Sequence, residues 1–559
     1  MGRAPVSAAA PALLRSPPFP LGDAAISGAG QAPADRALDA ECLFAEIRAA
    51  QVGGAFWGPP VPGSEALSTV LRPARSAEVA ALCDEDDGAG LWLLPGDEPV
   101  WAKCLAGRQT APSRVDPWSV LGRARRVVAH GDDEWVALAC IAGLDVRVLS
   151  PGRYGQPGDS TEALTARALA ALVAVAYRSP FTGAAIGIGE AIDILATWRT
   201  ALAANRTIAV ASGMAWWKRA EMRRFLWHPE QRLRFFRNPR LALAKARTAG
   251  GAVAIWPSRV SPHLIARARD EGVPLVRVED GFVRSVGLGV DLVPPSSVVV
   301  DARGMHFDPS GPSDLESILA QAAFPPRLLA RAARLRQAIV AAGISKYAAG
   351  ADAAYPERSA PARLRVLVPG QVEDDLSVQA GGHGLASNLE LVRRVRLAEP
   401  DAEIWFRPHP DVDAGHRKGA VPDAAILGYA DRVVRGGGMA PLLDAVDAVH
   451  VLTSLAGFEA LLRGRPVTCH GTPFYAGWGL TRDLAPVPAR RGRALTLDAL
   501  VAGVLIRYPR YLDPVSGLPC PPEVLVERMA RAQAINRLRW IGPLRRMQGR
   551  VLATLRGAA

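Results

Sequence analysis

Residues 448–471, AVHVLTSLAGFEALLRGRPVTCHG, read as a strand, a helix and a second strand. AVHVL is a short valine-rich apolar run, GFEALLRG holds helix formers closed by a glycine, and RPVTC resumes the strand pattern. Two strands joined through a helix are the repeating unit of an α/β fold. The neighbouring runs LRVLVPGQ (364–371) and AEIWFRPHP (402–410) are further strands, and SNLELVRRVRLAE (387–399) is a further helix. Upstream the rhythm recurs: TIAVASG (207–213), GAVAIWPSR (251–259) and PLVRVEDG (274–281) are strands, while WWKRAEMRRFLW (216–227) and SPHLIARARDEG (261–272) are amphipathic helices. The expected architecture is α/β, with Rossmann-like domains over 207–355 and 362–520 facing a cleft. Ligands in such sheets sit at the carboxyl ends of strands.

The remaining segments are assigned by composition. Residues 1–38 are rich in Ala, Pro and Gly and read as a flexible tail, 39–205 again alternate strand and helix patterns, and 521–559 read as C-terminal helices. The stretch 127–155 aligns without a gap on 448–476 at an offset of 321 residues, so 39–205 reads as a degenerate copy of the later region. With 559 residues, two or three domains are expected. The net charge of +12 permits an anionic partner, and no zinc-finger spacing, RNP-type segment or basic zipper directs it to nucleic acid. Six scattered cysteines without a CxxC pair read as reduced thiols in a cytosolic protein, and no apolar run is long enough to span a membrane.

Chemistry-bearing residues gather at predicted strand ends. RPHP places Arg407 and His409 after a strand, where a guanidinium and an imidazole suit an anionic oxygen or a leaving group. Thr453 and Ser454 open the helix of the first-quoted stretch, either as an anion site or as an ordinary cap, and Glu459 lies one turn further on. RVEDGFVR carries Glu279, Asp280 and Arg284, read either as an acid–base group or as an Asp-Gly turn with a surface ion pair. No HExxH or GxxxxGK[ST] pattern marks a metal or P-loop site.

Taken together, EDGFVRSVGLG, VPGQVEDDLS, RPHPDV, TSLAGFEALLRG and GTPFYAGWGLTRD, in this order, resemble the capsule-type β-Kdo glycosyltransferases of the KpsC family over about 207–520. The resemblance implies a GT-B fold, CMP-Kdo as donor, and retaining β-Kdo transfer onto the Kdo linker of a phospholipid capsule anchor. It assigns Asp375 as nucleophile, Glu279 as acid/base with Asp280 as rival or helper, and Arg407 and His409 as stabilisers of the departing cytidylate. Thr453 and Ser454 would hold the same phosphate, Gln371 and Glu459 the nucleotide, and Arg284 the Kdo carboxylate. No metal or other cofactor is expected. Arg407 stands where the family commonly has lysine. The implied partners are CMP-Kdo, a Kdo-bearing glycolipid, capsule assembly or export proteins and the cytoplasmic face of a Gram-negative inner membrane, which the basic segment RWIGPLRRMQGRVLATLR (539–556) would meet.

Members of the family usually carry two transferase modules, and 207–520 is closest to the second. At the 321-residue offset Thr453, Ser454 and Glu459 correspond to Asp132, Asp133 and Leu138. Carboxylates there would repel a donor phosphate, so one working site is expected, preceded by a remnant module kept for packing or acceptor docking. The alternatives are a transferase of another nucleotide-activated acidic sugar and a catalytically silent capsule-assembly subunit.

Overall fold

Valine- and leucine-rich runs become strands wherever both faces can be covered, and they build three main sheets. The computed structural model describes residues 11–20, 25–28, 39–96, 99–284, 293–345, 363–415 and 417–531. Most of the expected N-terminal tail, the linker around 349–362 and the basic segment 539–556 lie outside the described residues. The chain groups into two compact units. One holds the residues up to 206 with 226–232 and 516–518, and the other holds the rest.

In the first unit, strands β1 (Leu67–Leu71), β2 (Leu91–Leu94), β3 (Gln109–Pro112), β4 (Ala124–Ala129) and β5 (Asp145–Val148) form an all-parallel sheet in the order β3-β2-β1-β4-β5. Helix α1 (Glu134–Ala142) connects β4 to β5. Leu71, Trp92, Trp101 and Val128 share a core on this sheet.

The second unit contains two sheets. Strands β6 (Ile208–Ser212), β7 (Arg234–Phe236), β8 (Ala252–Ile255) and β9 (Leu275–Asp280) are parallel, and β10 (Ser297–Asp301) runs antiparallel beside β9. Strands β11 (Arg365–Pro369), β12 (Glu403–Arg407), β13 (Arg432–Val433), β14 (Ala448–Val451), β15 (Val467–Cys469) and β16 (Arg482–Asp483) form a parallel sheet in the order β13-β12-β11-β14-β15-β16. Its order reverses beside β11, the point in an open parallel sheet where a crevice forms. Val366, Val368, Ile404 and Phe406 pack there against Leu391, Val392 and Val395, the apolar face of the helix Asn388–Ala398.

One expected boundary differs. Strands β17 (Pro509–Leu512) and β18 (Pro519–Cys520) do not extend the β11–β16 sheet but return to β10, giving a seven-stranded sheet in the order β18-β17-β10-β9-β8-β6-β7. The outer edge of β10 offers unpaired backbone groups, and the returning segment satisfies them. Tyr508, just before β17, donates its hydroxyl to the buried Asp301 at 2.8 Å.

The repeat read in the sequence has a structural counterpart. An offset of 321 residues carries the start of α1 onto Leu455, where helix Leu455–Leu462 begins, and carries β5 onto β15 to within a residue. The sheet order around both copies is also the same, with no counterpart of the last strand, β16, among the described residues of the first.

A buried histidine pair sits on the β14–β15 side of this sheet. His450 Nδ1 lies 3.2 Å from His470 Nε2. Burial, then the neighbouring His470, depress the pKa of His450 to about 3, and burial followed by Arg394 depresses that of His470 to about 4. Both rings are therefore neutral when folded, and the 3.6 Å contact of His450 with Glu399 is no ion pair at neutral pH. The unfolded chain takes up protons near pH 6.5, which the folded chain resists down to about 4. The pair's contribution is present above pH 6.5 and is lost as pH falls below it. The melting temperature should drop between pH 7 and 4.5, and the drop should be shallower in His450→Gln and His470→Asn. Parallel curves for wild type and variants would exclude the pair as its source.

Candidate functional site

The carboxyl ends of β6, β8 and β9 and of β11, β12 and β14 contribute side chains to one cavity of about 1110 Å³ in the second unit. Its lining includes Glu279 and Asp280 from one sheet and Gln371, Asp375, Arg407, His409, Thr453, Ser454 and Glu459 from the other. Nine of the ten residues singled out in the sequence therefore line one cavity. The tenth, Arg284, is not part of it.

Arg284 is buried instead, 1% exposed, with Nε 2.8 Å from Asp280 Oδ2 and a terminal nitrogen 3.0 Å from the Val293 carbonyl. It positions Asp280 rather than facing a ligand carboxylate. The other oxygen of Asp280 accepts from Lys218 Nζ at 2.9 Å. Lys218 lines the cavity, and its ammonium lies 3.4 Å from the centroid of Trp256. Burial lowers its pKa against the pull of Asp280. With both oxygens on cations, Asp280 is suited to orientation rather than proton transfer, and Glu279 Oε1 accepts from the Asp280 backbone N–H at 3.1 Å. The turn after β9 requires Gly281, because a Cβ there would lie 2.1 Å from Ser297 Oγ.

Sequence reasoning missed Lys218 by reading WWKRAEMRRFLW as one amphipathic helix. In the structure Trp216–Lys218 form a tight turn ahead of the helix Arg219–Phe225, and that turn directs lysine inward. A usable signal was present: only five of the chain's 66 basic residues are lysines, and this one directly follows two tryptophans. Asp280→Asn, which takes the shared carboxylate from two buried cations, should lower stability by about 3–5 kcal/mol, the usual effect of leaving a buried charge unpaired, and Lys218→Met, which leaves Asp280 paired with Arg284, should cost less. The double variant should lose much less than the sum of the two. Strict additivity in denaturant melts would dissolve the proposed pairing.

The three acids after β11 have three different partners. Glu373 Oε1 accepts from the Asn388 backbone N–H at 2.9 Å, and Asp374 pairs with Arg417 at 3.0 Å. The Arg417 contact holds the Asp374 carboxyl below the usual carboxylate range. Asp375 caps helix α2 (Leu376–Gly381), accepting from the backbone N–H and the hydroxyl of Ser377 at 3.0 and 2.8 Å. The cap fixes its carboxylate on the cavity wall.

Gln371 and Thr453 lock β11 to β14. Gln371 Nε2 donates to Thr453 Oγ1 at 2.9 Å, and its Oε1 accepts from the Thr453 N–H at 2.8 Å. Both were read as ligand contacts, and in the structure each holds the other in place. The buried Asn388 completes the lock, its Oδ1 accepting from the Gln371 N–H and its Nδ2 donating to the Gln371 carbonyl, each at 2.8 Å. Arg407, at the end of β12, donates to the carbonyls of Gly436 and Gly437 at 2.8 and 2.7 Å. A guanidinium carries five N–H groups, so this anchoring is compatible with an anion contact. His409 caps helix α3 (Pro410–Asp413), where its Nδ1 accepts from the Asp411 N–H at 3.1 Å. That places the proton of the neutral ring on Nε2.

Ser454 caps helix α4 (Leu455–Leu462), accepting from the Ala456 N–H at 3.3 Å, and its carbonyl accepts from the Tyr475 hydroxyl. The loop bearing Tyr475 is anchored by Arg491, 1% exposed, which donates to the Pro473 carbonyl and pairs with Glu316 at 2.6 Å. Phe282 and Phe474 stack at 4.6 Å on the cavity wall. The arrangement offers carboxylates from one sheet opposite carboxylate, guanidinium, imidazole and a helix N-terminus from the other. Such a set suits group transfer between a hydroxyl and an anionic leaving group.

Residues 251–511 match the family described as capsule polysaccharide biosynthesis protein. The capsule polysaccharide modification protein LipA of Neisseria meningitidis serogroup B is 41% identical over 340 residues, covering 60% of this chain and 47% of that protein. The chain thus spans about half the length of the curated relatives it matches. A solved structure titled Thermosulfurimonas dismutans KpsC, beta Kdo 2,7 transferase, is 32% identical over 99% of its own chain and 58% of this one, with a TM-score of 0.48. Its companion, titled beta Kdo 2,4 transferase, is 31% identical over 98% of its chain, with a TM-score of 0.49.

Proposed function

From the premise that this chain belongs to the capsule polysaccharide biosynthesis family, we propose that it is a retaining β-Kdo transferase of GT-B build, moving Kdo from CMP-Kdo to a Kdo-bearing glycolipid. One observation carries the reading: a single cavity collects Glu279 and Asp280 from one sheet and Asp375, Arg407, His409, Ser454 and Glu459 from the other. The parallel sheet would hold the cytidine nucleotide at its order reversal, and the seven-stranded sheet would present the acceptor.

In this mechanism the Asp375 carboxylate attacks the anomeric carbon and the bond to the cytidylate oxygen breaks. Arg407, His409 through Nε2–H, and the start of α4 stabilise the departing phosphate. The sugar is then held as an ester of Asp375. Glu279 takes the proton of the acceptor hydroxyl as that oxygen attacks the same carbon, and the ester bond breaks to restore the carboxylate. Two inversions retain the β configuration. Asp280, held between Lys218 and Arg284, orients Glu279. We assign no metal to the reaction, because cationic side chains and the helix start supply the charge compensation.

The test is incubation with CMP-Kdo and a synthetic lipid ending in Kdo, following CMP release and the anomeric configuration of the product. Release of CMP with a β-linked product is expected. Absence of release would favour an assembly subunit without catalysis, and turnover only with other nucleotide-activated acidic sugars would move the donor assignment.

A further inference from the structure

The first unit carries a crevice of its own, at the place its sheet order reverses. Two adjoining cavities, of about 650 and 360 Å³, share Arg72, Ser113 and Glu134 at the carboxyl ends of β1, β3 and β4. The 1110 Å³ cavity of the second unit likewise lies at the carboxyl ends of the two strands flanking the order reversal, β11 and β14, and α1 begins here as α4 begins there.

The polar groups have changed. In place of Thr453, Ser454 and Leu455 stand Asp132, Asp133 and Glu134. Asp133 caps α1 and takes Arg72 Nε at 2.6 Å, Glu134 takes both terminal nitrogens of Arg15 at 2.5 and 2.9 Å, and Asp132 accepts from the Arg153 N–H at 2.8 Å. These acids would repel a nucleotide phosphate at the helix start. The ion pairs also neutralise Arg72 and Arg15, so neither is the main attraction for an anion.

Two features remain at the 650 Å³ cavity. Trp57 is half-buried on its wall, with the Arg15 guanidinium 5.6 Å from its ring centroid on one side, and Arg114, lining the same cavity, is exposed with no hydrogen-bond or ion-pair partner among the described residues. An indole face with a neighbouring guanidinium fits the apolar face of a sugar ring and the carboxylate attached to it. A volume near 650 Å³ accommodates one or two such rings.

The geometry points to the crevice of the first unit as a binding site for a carboxylate-bearing oligosaccharide, separate from the nucleotide-binding cavity. That this glycan is the acceptor or product of the chain's own reaction rests on the proposed transferase function, whereas affinity for an acidic sugar does not.

A short oligosaccharide of 3-deoxy-ulosonic acids carrying a diazirine tag tests it on the full chain, with labelled peptides mapped by mass spectrometry. Labelling over residues 55–59 and 113–117 is expected, falling about tenfold in Trp57→Ala, the factor for about 1.4 kcal/mol of lost stacking. Arg114→Glu, at an exposed position, should weaken labelling without changing the melting temperature. The same oligosaccharide with its carboxylates reduced to alcohols should label both peptides poorly. Labels confined to the cavity residues 215–218 and 256–259, labels that survive both substitutions, or equal labelling by the reduced sugar would overturn the site. A chain that labels here but transfers no sugar would refute the transferase and leave the crevice standing; transfer without labelling would do the reverse.

Discussion

Asp375→Asn should abolish sugar transfer, by at least about a thousandfold, while leaving the protein folded and able to bind nucleotide. The loss is large because a covalent nucleophile provides the reaction path itself rather than adjusting its barrier. Asparagine is the informative replacement. Asp375 also caps α2 through the Ser377 N–H and hydroxyl, and asparagine is as good a cap as aspartate. Asp375→Ala removes both roles and should cost a further ~1 kcal/mol of stability. Near-wild-type melting of Asp375→Asn with no transfer isolates the chemistry, whereas transfer above a few per cent of wild type would remove Asp375 as nucleophile. Ser377→Ala supplies a second check. It deletes one of the two contacts that fix the carboxylate, so transfer should fall without vanishing.

How far the sequence could be read follows from which interactions are local. Strands such as β11 and β14 were legible because both faces are buried, which forces continuous apolar runs, and Ser454 was legible as a cap because capping is written within two residues of the capped N–H; His409 was read from its place after a strand and Asp375 from the family resemblance, and their capping roles emerged only in the structure. The roles of Gln371 and Thr453 were not legible, since their mutual hydrogen bonds join positions 82 residues apart. Asp280 looked like a rival catalyst until Lys218, 62 residues earlier, took one oxygen and the buried Arg284 the other. The return of β17 and β18 to β10 was also hidden. Short strands such as YPRYLDP carry no mark of which edge they will join, and the choice is made by an unpaired edge about 200 residues earlier.

Gly457→Ala should be among the most damaging single-methyl changes in the chain. Gly457 lies in the first turn of α4, and a Cβ built on it would sit 2.2 Å from the Tyr475 hydroxyl and 2.8 Å from the ring carbon bearing it. In an ordinary helix interior the same change would stabilise by about 0.5–1 kcal/mol. Here overpacking should reverse the sign and cost about 1–3 kcal/mol, because Tyr475 is fully buried and has no room to withdraw. Its hydroxyl also holds the Ser454 carbonyl, so moving the ring disturbs the start of α4. Nucleotide binding should therefore weaken more than global stability predicts. Tyr475→Phe alone loses that hydrogen bond, about 1 kcal/mol, and leaves the Ser454 carbonyl without this donor. Combined with Gly457→Ala it removes the closest clash and relieves part of the strain, so the double variant should be more stable than the sum of the two single losses. The relief should stop short of wild type, since the ring carbon remains too close. Denaturant melts of the four proteins give the coupling directly, and purely additive losses would show that the methyl group and the hydroxyl do not compete for the same space.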